Sequence, residues 1–261
     1  WHTMSPAATT LYALICGWSS HCSIEDYSDV SALADAVRDP IYTNIKLNQV
    51  PVSIKEAANR STHAIPGKAS TGIFDAGSFF DLQMLKSGRI MLGSIRFDIA
   101  SADQGRSNNA VVVGNSTDMI KSLPNTLTLY KGTWTARRIA FLHTAFIEEP
   151  VSSVRRLGSY RIEYENGVTE TIDLLENWNI TDIRSSEGIR LNDWTFLRAP
   201  DILLGAKRVW QGNSASGIPL NLQLFLWNNP HPEEKIRSIK LSVENEPKVT
   251  RIVLLGLTFM Q

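Results

Sequence analysis

From Ile45 onward the chain is a succession of short apolar runs punctuated by Gly, Asn, Asp and Pro, and no stretch there repeats with helical spacing. That punctuation constrains the fold more than any other feature. Strands are expected over 46–54, 90–99, 110–113, 126–130, 138–146, 159–164, 168–174, 206–210, 220–227, 236–243 and 250–258. Many short strands joined by turns, with no helices between them, build a sandwich or a jelly roll rather than a parallel α/β sheet. Hydrophobic residues make up 43% of the 261, enough for a core of that size. The expectation is an all-β, antiparallel two-sheet jelly-roll sandwich over 46–261.

Helical signals are confined to the first 45 residues. Ser5 followed by Pro6 is a good helix start, predicting a helix over 6–15. A second is expected over 29–38, with Val30, Leu33, Ala34 and Val37 on one face and Pro40 as its stop. Their apolar residues, Leu11, Leu14, Ile15, Leu33 and Val37, need a partner beyond the helices themselves. Residues 1–45 read as a helical remnant or linker from an upstream domain. The sequence opens on Trp1 with no charged stretch before an apolar one, so any export signal would lie upstream.

One hairpin can be derived in detail. Tyr160, Ile162 and Tyr164 alternate with Arg161, Glu163 and Glu165, and after Asn166-Gly167 come Val168, Ile172 and Leu174. A two-residue Asn-Gly loop would put the two apolar sets on opposite faces. A three-residue loop, Glu165-Asn166-Gly167, pairs Tyr164 with Val168 and Tyr160 with Ile172, so register favours it. Gly167 then takes the left-handed position of such loops, and Glu170 opposite Ile162 is the one polar exception on the apolar face.

Composition narrows the function. Lys plus Arg number 26 and so do Asp plus Glu, and a formally neutral chain lacks the basic surplus that neutralises phosphates. No nucleic acid and no membrane partner is expected. Cys16 and Cys22 can form a disulfide or stay reduced, and with His21 they fall one ligand short of a structural zinc site. No metal is expected. The stretch 212–217 lacks the Lys and following helix of a phosphate loop, so no cofactor is called for either.

Seven Trp invite a sugar-binding reading, because pyranose rings stack on flat aromatic surfaces. Trp178 lies between Asn177 and Asn179, and Trp194 follows Asn192-Asp193 in a polar stretch. An aromatic ring beside amide and carboxylate groups supplies both stacking and hydroxyl recognition. The candidate carbohydrate-binding residues are therefore Trp178, Asn179, Asn192, Asp193 and Trp194. Trp210 and Trp227 end apolar runs and read as core. His143, among strand-forming residues, reads as half-buried and bonded to backbone. Glycoside hydrolysis needs two carboxylates facing each other. Glu148-Glu149 and Glu233-Glu234 read instead as solvated turns, Glu25-Asp26 lies in the N-terminal remnant, and no catalytic residue is assigned.

From Gly72 to the end the chain resembles a β-sandwich domain at the ends of large bacterial glycoside hydrolases, including β-galactosidase-like and agarase-like enzymes. The resemblance is carried in order by Phe80-Asp81-Leu82, Gly93-Ser94-Ile95-Arg96-Phe97-Asp98-Ile99, Phe141-Leu142-His143-Thr144-Ala145 and Gly158-Ser159-Tyr160-Arg161-Ile162-Glu163-Tyr164. Asn179-Ile180-Thr181-Asp182, Val209-Trp210-Gln211-Gly212, Trp227-Asn228-Asn229-Pro230-His231-Pro232 and a final apolar strand over 252–258 complete it. The resemblance implies a galactose-binding-like jelly roll and carries over no catalytic residue. Between Asn179 and Trp194 this chain is longer and more charged than the pattern. The expected function is a non-catalytic accessory module, carbohydrate-binding or structural, of a secreted or cell-surface enzyme. Its partners would be an oligo- or polysaccharide and an upstream catalytic domain or companion chain. The alternative is a fragment of a nicked or two-chain hydrolase whose active site lies mainly elsewhere.

Overall fold

The structure is a computed structural model that describes residues 47–68, 70–115, 123–149, 155–176, 178–184, 205–245 and 248–261. The helices expected over 6–15 and 29–38, the Cys16–Cys22 pair and Glu25-Asp26 lie outside the described residues. So do Asn177, Asn192, Asp193 and Trp194.

Among the described residues the strands are β1 (Gln49–Val52), β2 (Gly88–Leu92), β3 (Ile95–Ile99), β4 (Val111–Gly114), β5 (Thr126–Trp134) and β6 (Arg138–Ile147). They continue with β7 (Arg156–Tyr164), β8 (Thr169–Leu175), β9 (Ala206–Asn213), β10 (Pro219–Asn228), β11 (Ile236–Val243) and β12 (Thr250–Met260). The large sheet runs β1-β12-β6-β10-β9, with β4 also paired to β12, and the small sheet runs β5-β11-β7-β8. Every strand pair is antiparallel. From β4 to β7 the chain changes sheet at each step, so consecutive strands face each other across the core. The expected sandwich is what the chain forms.

Two hydrophobic clusters explain why the strands of the large sheet read as unbroken apolar runs. In β6, Ile139, Phe141, Ala145 and Ile147 face the small sheet and meet Tyr160, Ile162, Ile172, Ile239 and Leu241. The alternate residues Ala140, Leu142 and Phe146 face outward, where Ile73, Phe74, Leu82, Ile95, Phe97 and Ile99 cover them. A strand buried on both faces has no polar side to show. The outer cover is built by the β2–β3 hairpin and the loops over 70–85, a third layer that the two-sheet expectation did not contain.

The run over 90–99, read as one strand, is in fact a hairpin. Leu92 pairs with Ile95, leaving Gly93-Ser94 as a two-residue loop. Gly93 is at φ +61° while Ser94 is not at positive φ, the arrangement of a type II′ turn with glycine first. The other hairpin forms as derived. Tyr160 pairs with Ile172 and Ile162 with Glu170, Tyr164 N–H donates to Val168 O at 2.9 Å, and Gly167 is at φ +87°. Val168 is exposed at the tip, and Glu170, the exception on the apolar face, reaches His231 Nε2 at 3.0 Å.

Asparagine side chains fill in where strands lack a neighbour. Asn59 accepts from Val112 N–H at 2.8 Å and donates to Val112 O at 2.9 Å, standing in for a strand partner of β4. Asn115 joins Lys248 O and Thr250 N–H in the same way, at 2.7 and 3.3 Å. Each satisfies a buried backbone pair that would otherwise be left unmade.

Candidate functional site

β6 and β10 pair from Arg138 with Asn228 to His143 with Gln223, and then separate. The segment Thr181–Arg184 enters the gap. Ala145 N–H donates to Thr181 O at 3.0 Å and Ile183 N–H to Ala145 O at 2.6 Å, while Asn221 N–H on β10 donates to Ile183 O at 2.8 Å. A short piece of chain thus bonds to both strands. Asp182 locks it: Oδ2 accepts from Ile147 N–H at 2.8 Å and both oxygens hold the Arg184 guanidinium, at 2.6 and 2.9 Å. That bidentate contact raises the Arg184 pKa.

His143 marks the point of separation and is fully buried. Its Nε2 lies 2.9 Å from Asn179 O and its Nδ1 3.0 Å from the Tyr160 hydroxyl. A carbonyl oxygen only accepts, so Nε2 carries the hydrogen; in the neutral ring Nδ1 then accepts from Tyr160 O–H. Burial lowers the His143 pKa to about 4, with the bond to Asn179 opposing the shift. The ring also lies nearly parallel to Phe225, centroids 5.9 Å apart. The half-buried histidine expected here is a sealed one, and Tyr160 is the partner that sequence spacing could not name.

The same segment carries the sugar-binding candidates. β8 ends at Leu175 and the chain turns at once: Trp178 N–H and Asn179 N–H donate to Leu175 O at 3.1 and 3.2 Å. Asn179 Oδ1 accepts from Leu175 N–H at 2.8 Å and Nδ2 donates to Asp173 O at 2.9 Å. The amide expected to meet a sugar hydroxyl is thus turned onto the protein's own backbone, and Asn179 is buried. Its work is to shape the turn.

Trp178 stands on that turn, half-buried. Gly205 N–H donates to Trp178 O at 2.8 Å. The indole edge occupies the space a side chain on Gly205 would need, since a Cβ there would meet Trp178 Nε1 at 2.7 Å and Cδ1 at 2.9 Å. Glycine immediately before β9 is therefore what lets the ring lie where it does. Sequence reasoning found Trp178 but not Gly205. The available signal for the inward turn of Asn179 was its company, because Ile180 and Ile183 are both fully buried.

The carboxylate pairs behave as solvated turns. Glu149 holds Lys248 at 2.7 Å and Glu148 accepts from Val249 N–H at 3.0 Å. Trp227 lies in the core between the sheets, and Trp210 is half-buried against the outer cluster. Among the described residues no group of His, Cys, Asp and Glu is placed to hold a metal ion, and no helix is long and apolar enough to cross a membrane.

No protein-family model, no curated protein and no solved structure matches the chain.

Proposed function

We propose that the chain is a non-catalytic accessory module of a bacterial glycoside hydrolase, binding carbohydrate at the end of the sandwich where Trp178 stands. The observation that carries this is the indole seated over Gly205 on a turn closed by Asn179. A ring held in advance on rigid backbone loses little freedom when a sugar stacks on it. Aromatic faces with polar tips suit ligands that are apolar on one side and hydroxylated on the rim. The ordered motifs from Phe80 to Pro232 support the glycoside-hydrolase context. Calorimetric titration with galactose-, glucose- and N-acetylhexosamine-containing oligosaccharides tests the reading. Binding that Trp178→Ala removes without lowering Tm supports it; absence of binding to all of them, or turnover of an aryl glycoside by the purified chain, overturns it.

A further inference from the structure

We infer that the tip of the β9–β10 hairpin carries a second binding face for neutral oligosaccharide, formed by Phe79, Met84 and Trp210. It shares with the proposed function the carbohydrate class of ligand, and rests on that reading to that extent, but it stands on different residues.

Phe79 and Met84 are each 57% exposed, among the most exposed large apolar side chains of the described residues. The hairpin tip brings them to one place. Asn213 N–H donates to Met84 Sδ at 3.2 Å, and Ser216 N–H donates to Ser78 O, next to Phe79, at 3.3 Å. Ser78 Oγ and Ser216 Oγ share a hydrogen bond of 2.8 Å. The Trp210 indole lies along the strand over Gly212: a Cβ on Gly212 would meet ring carbons Cζ2 and Cη2 at 2.7 and 2.8 Å and Met84 Cβ at 3.4 Å. Ring and thioether therefore border a single turn, and Ser78, the neighbour of exposed Phe79, is bonded to the same turn.

The rim decides the ligand. From Gln211 to Ile218 the sequence is Gln-Gly-Asn-Ser-Ala-Ser-Gly-Ile, without a charge, and Gln211, Asn213, Ala215 and Ser216 are exposed. Asp81, the nearest carboxylate in the Phe79–Met84 stretch, is buried and accepts from Gln83 and Ala64 N–H. The outer face of the small sheet is of opposite character, with Lys240 on Glu163 and Arg156 on Asp173 and Glu244. An apolar centre ringed by amides and hydroxyls matches a pyranose, whose C–H face is apolar and whose hydroxyls project at its edge. An anionic sugar would meet no cation on this turn, and a purely apolar partner would bury amides and hydroxyls it could not bond.

Calorimetry with neutral gluco-, galacto- and xylo-oligosaccharides, and with oligogalacturonate as the anionic control, tests this on the full chain. Three proteins are compared: wild type, Phe79→Ala with Met84→Ala, and Trp178→Ala. The expected result is at least a tenfold loss of affinity for a neutral oligosaccharide in the double variant, with Tm unchanged and oligogalacturonate bound by none. A double variant that binds as wild type, or preference for the anionic sugar, overturns the second face. Loss with Trp178→Ala alone leaves the proposed function standing and removes this inference; loss with the double variant alone does the reverse for the Trp178 locus. Self-association of wild type in sedimentation, abolished by the double variant, would make the face a contact between copies and also overturn it.

Discussion

The imidazole of His143 donates from Nε2 to the carbonyl oxygen of Asn179, 2.9 Å away, and so ties the turn that carries Trp178 to the strand where the large sheet divides. That bond survives in either protonation state; it is burial that keeps the ring neutral, with Nδ1 accepting from Tyr160 O–H. Burial lowers the folded-state pKa from 6.5 to about 4. Between those values the unfolded chain binds a proton that the folded chain refuses. Stability from this group is whole above pH 6.5 and falls as pH drops towards 4, by about 3 kcal/mol across the window. His143→Gln removes the titration. Urea unfolding from pH 7 to 4.5 should therefore show a steeper loss in wild type than in the variant. The difference in slope approaches ~1.4 kcal/mol per pH unit. Parallel curves would mean that His143 does not titrate with unfolding.

Gly167 tests the hairpin. It is at φ +87°, and a Cβ there would meet nothing within 4 Å. Any penalty for substitution is therefore conformational and not steric. Gly167→Val should destabilise by about 1–2 kcal/mol, and Gly167→Asn by clearly less, since Asn tolerates the left-handed region. Equal penalties would point to a crowded site instead.

Gly256 tests the third layer. It follows the bulge in β12, and a Cβ on it would meet Phe97 Cδ1 at 2.7 Å, in a fully buried ring. Gly256→Val should destabilise by about 2 kcal/mol or more through overpacking. Phe97→Leu in the same chain should restore part of that, although Phe97→Leu alone destabilises. Additive losses in chemical denaturation would show that the two residues do not share the space.

Strands were legible because their signal is local. β11 lies where the apolar pattern put it, and β6, β10 and β12 differ from expectation only at their ends. The Tyr164–Val168 register was legible because a one-residue slip would have turned Ile172 and Leu174 to solvent. Gly93 was missed because Leu92 and Ile95 continue the apolar run across the turn. The alternation of Ile95, Phe97 and Ile99 shows a strand but not which surface it covers, which depends on contacts with β12 about 160 residues away in sequence. The same limit applies to the site. A Trp flanked by Asn reads as a ring with polar neighbours, but whether Asn179 faces a ligand or the end of β8 is decided by the turn after Leu175. That turn pointed the amide inward.

Asn59 tests the use of side chains as strand partners. Its amide makes both hydrogen bonds that β4 lacks on its open side at Val112. Asn59→Ala leaves a donor and an acceptor of Val112 unpaired, costing about 1–3 kcal/mol. Hydrogen exchange at the Val112 amide should accelerate beyond what the global loss of stability explains. Unchanged relative protection would mean that water replaces the side chain fully.

Gly205 offers a sharper functional test than truncating the ring itself. Trp178→Ala removes stacking area and ring together, so loss of binding would not tell position from presence. Gly205→Ala keeps the indole but places a methyl group 2.7 Å from its present Nε1 position, so the ring must move. Movement of a stacking surface by an ångström misaligns it with the sugar. If carbohydrate binds on Trp178, Gly205→Ala should weaken it by about tenfold, ~1.4 kcal/mol. Gly205→Ala and Trp178→Ala combined should be no worse than Trp178→Ala alone, because both act through one ring. Indole fluorescence should report the displacement in Gly205→Ala directly. A shifted emission with unchanged affinity would show that the ring moves and the ligand does not sit on it.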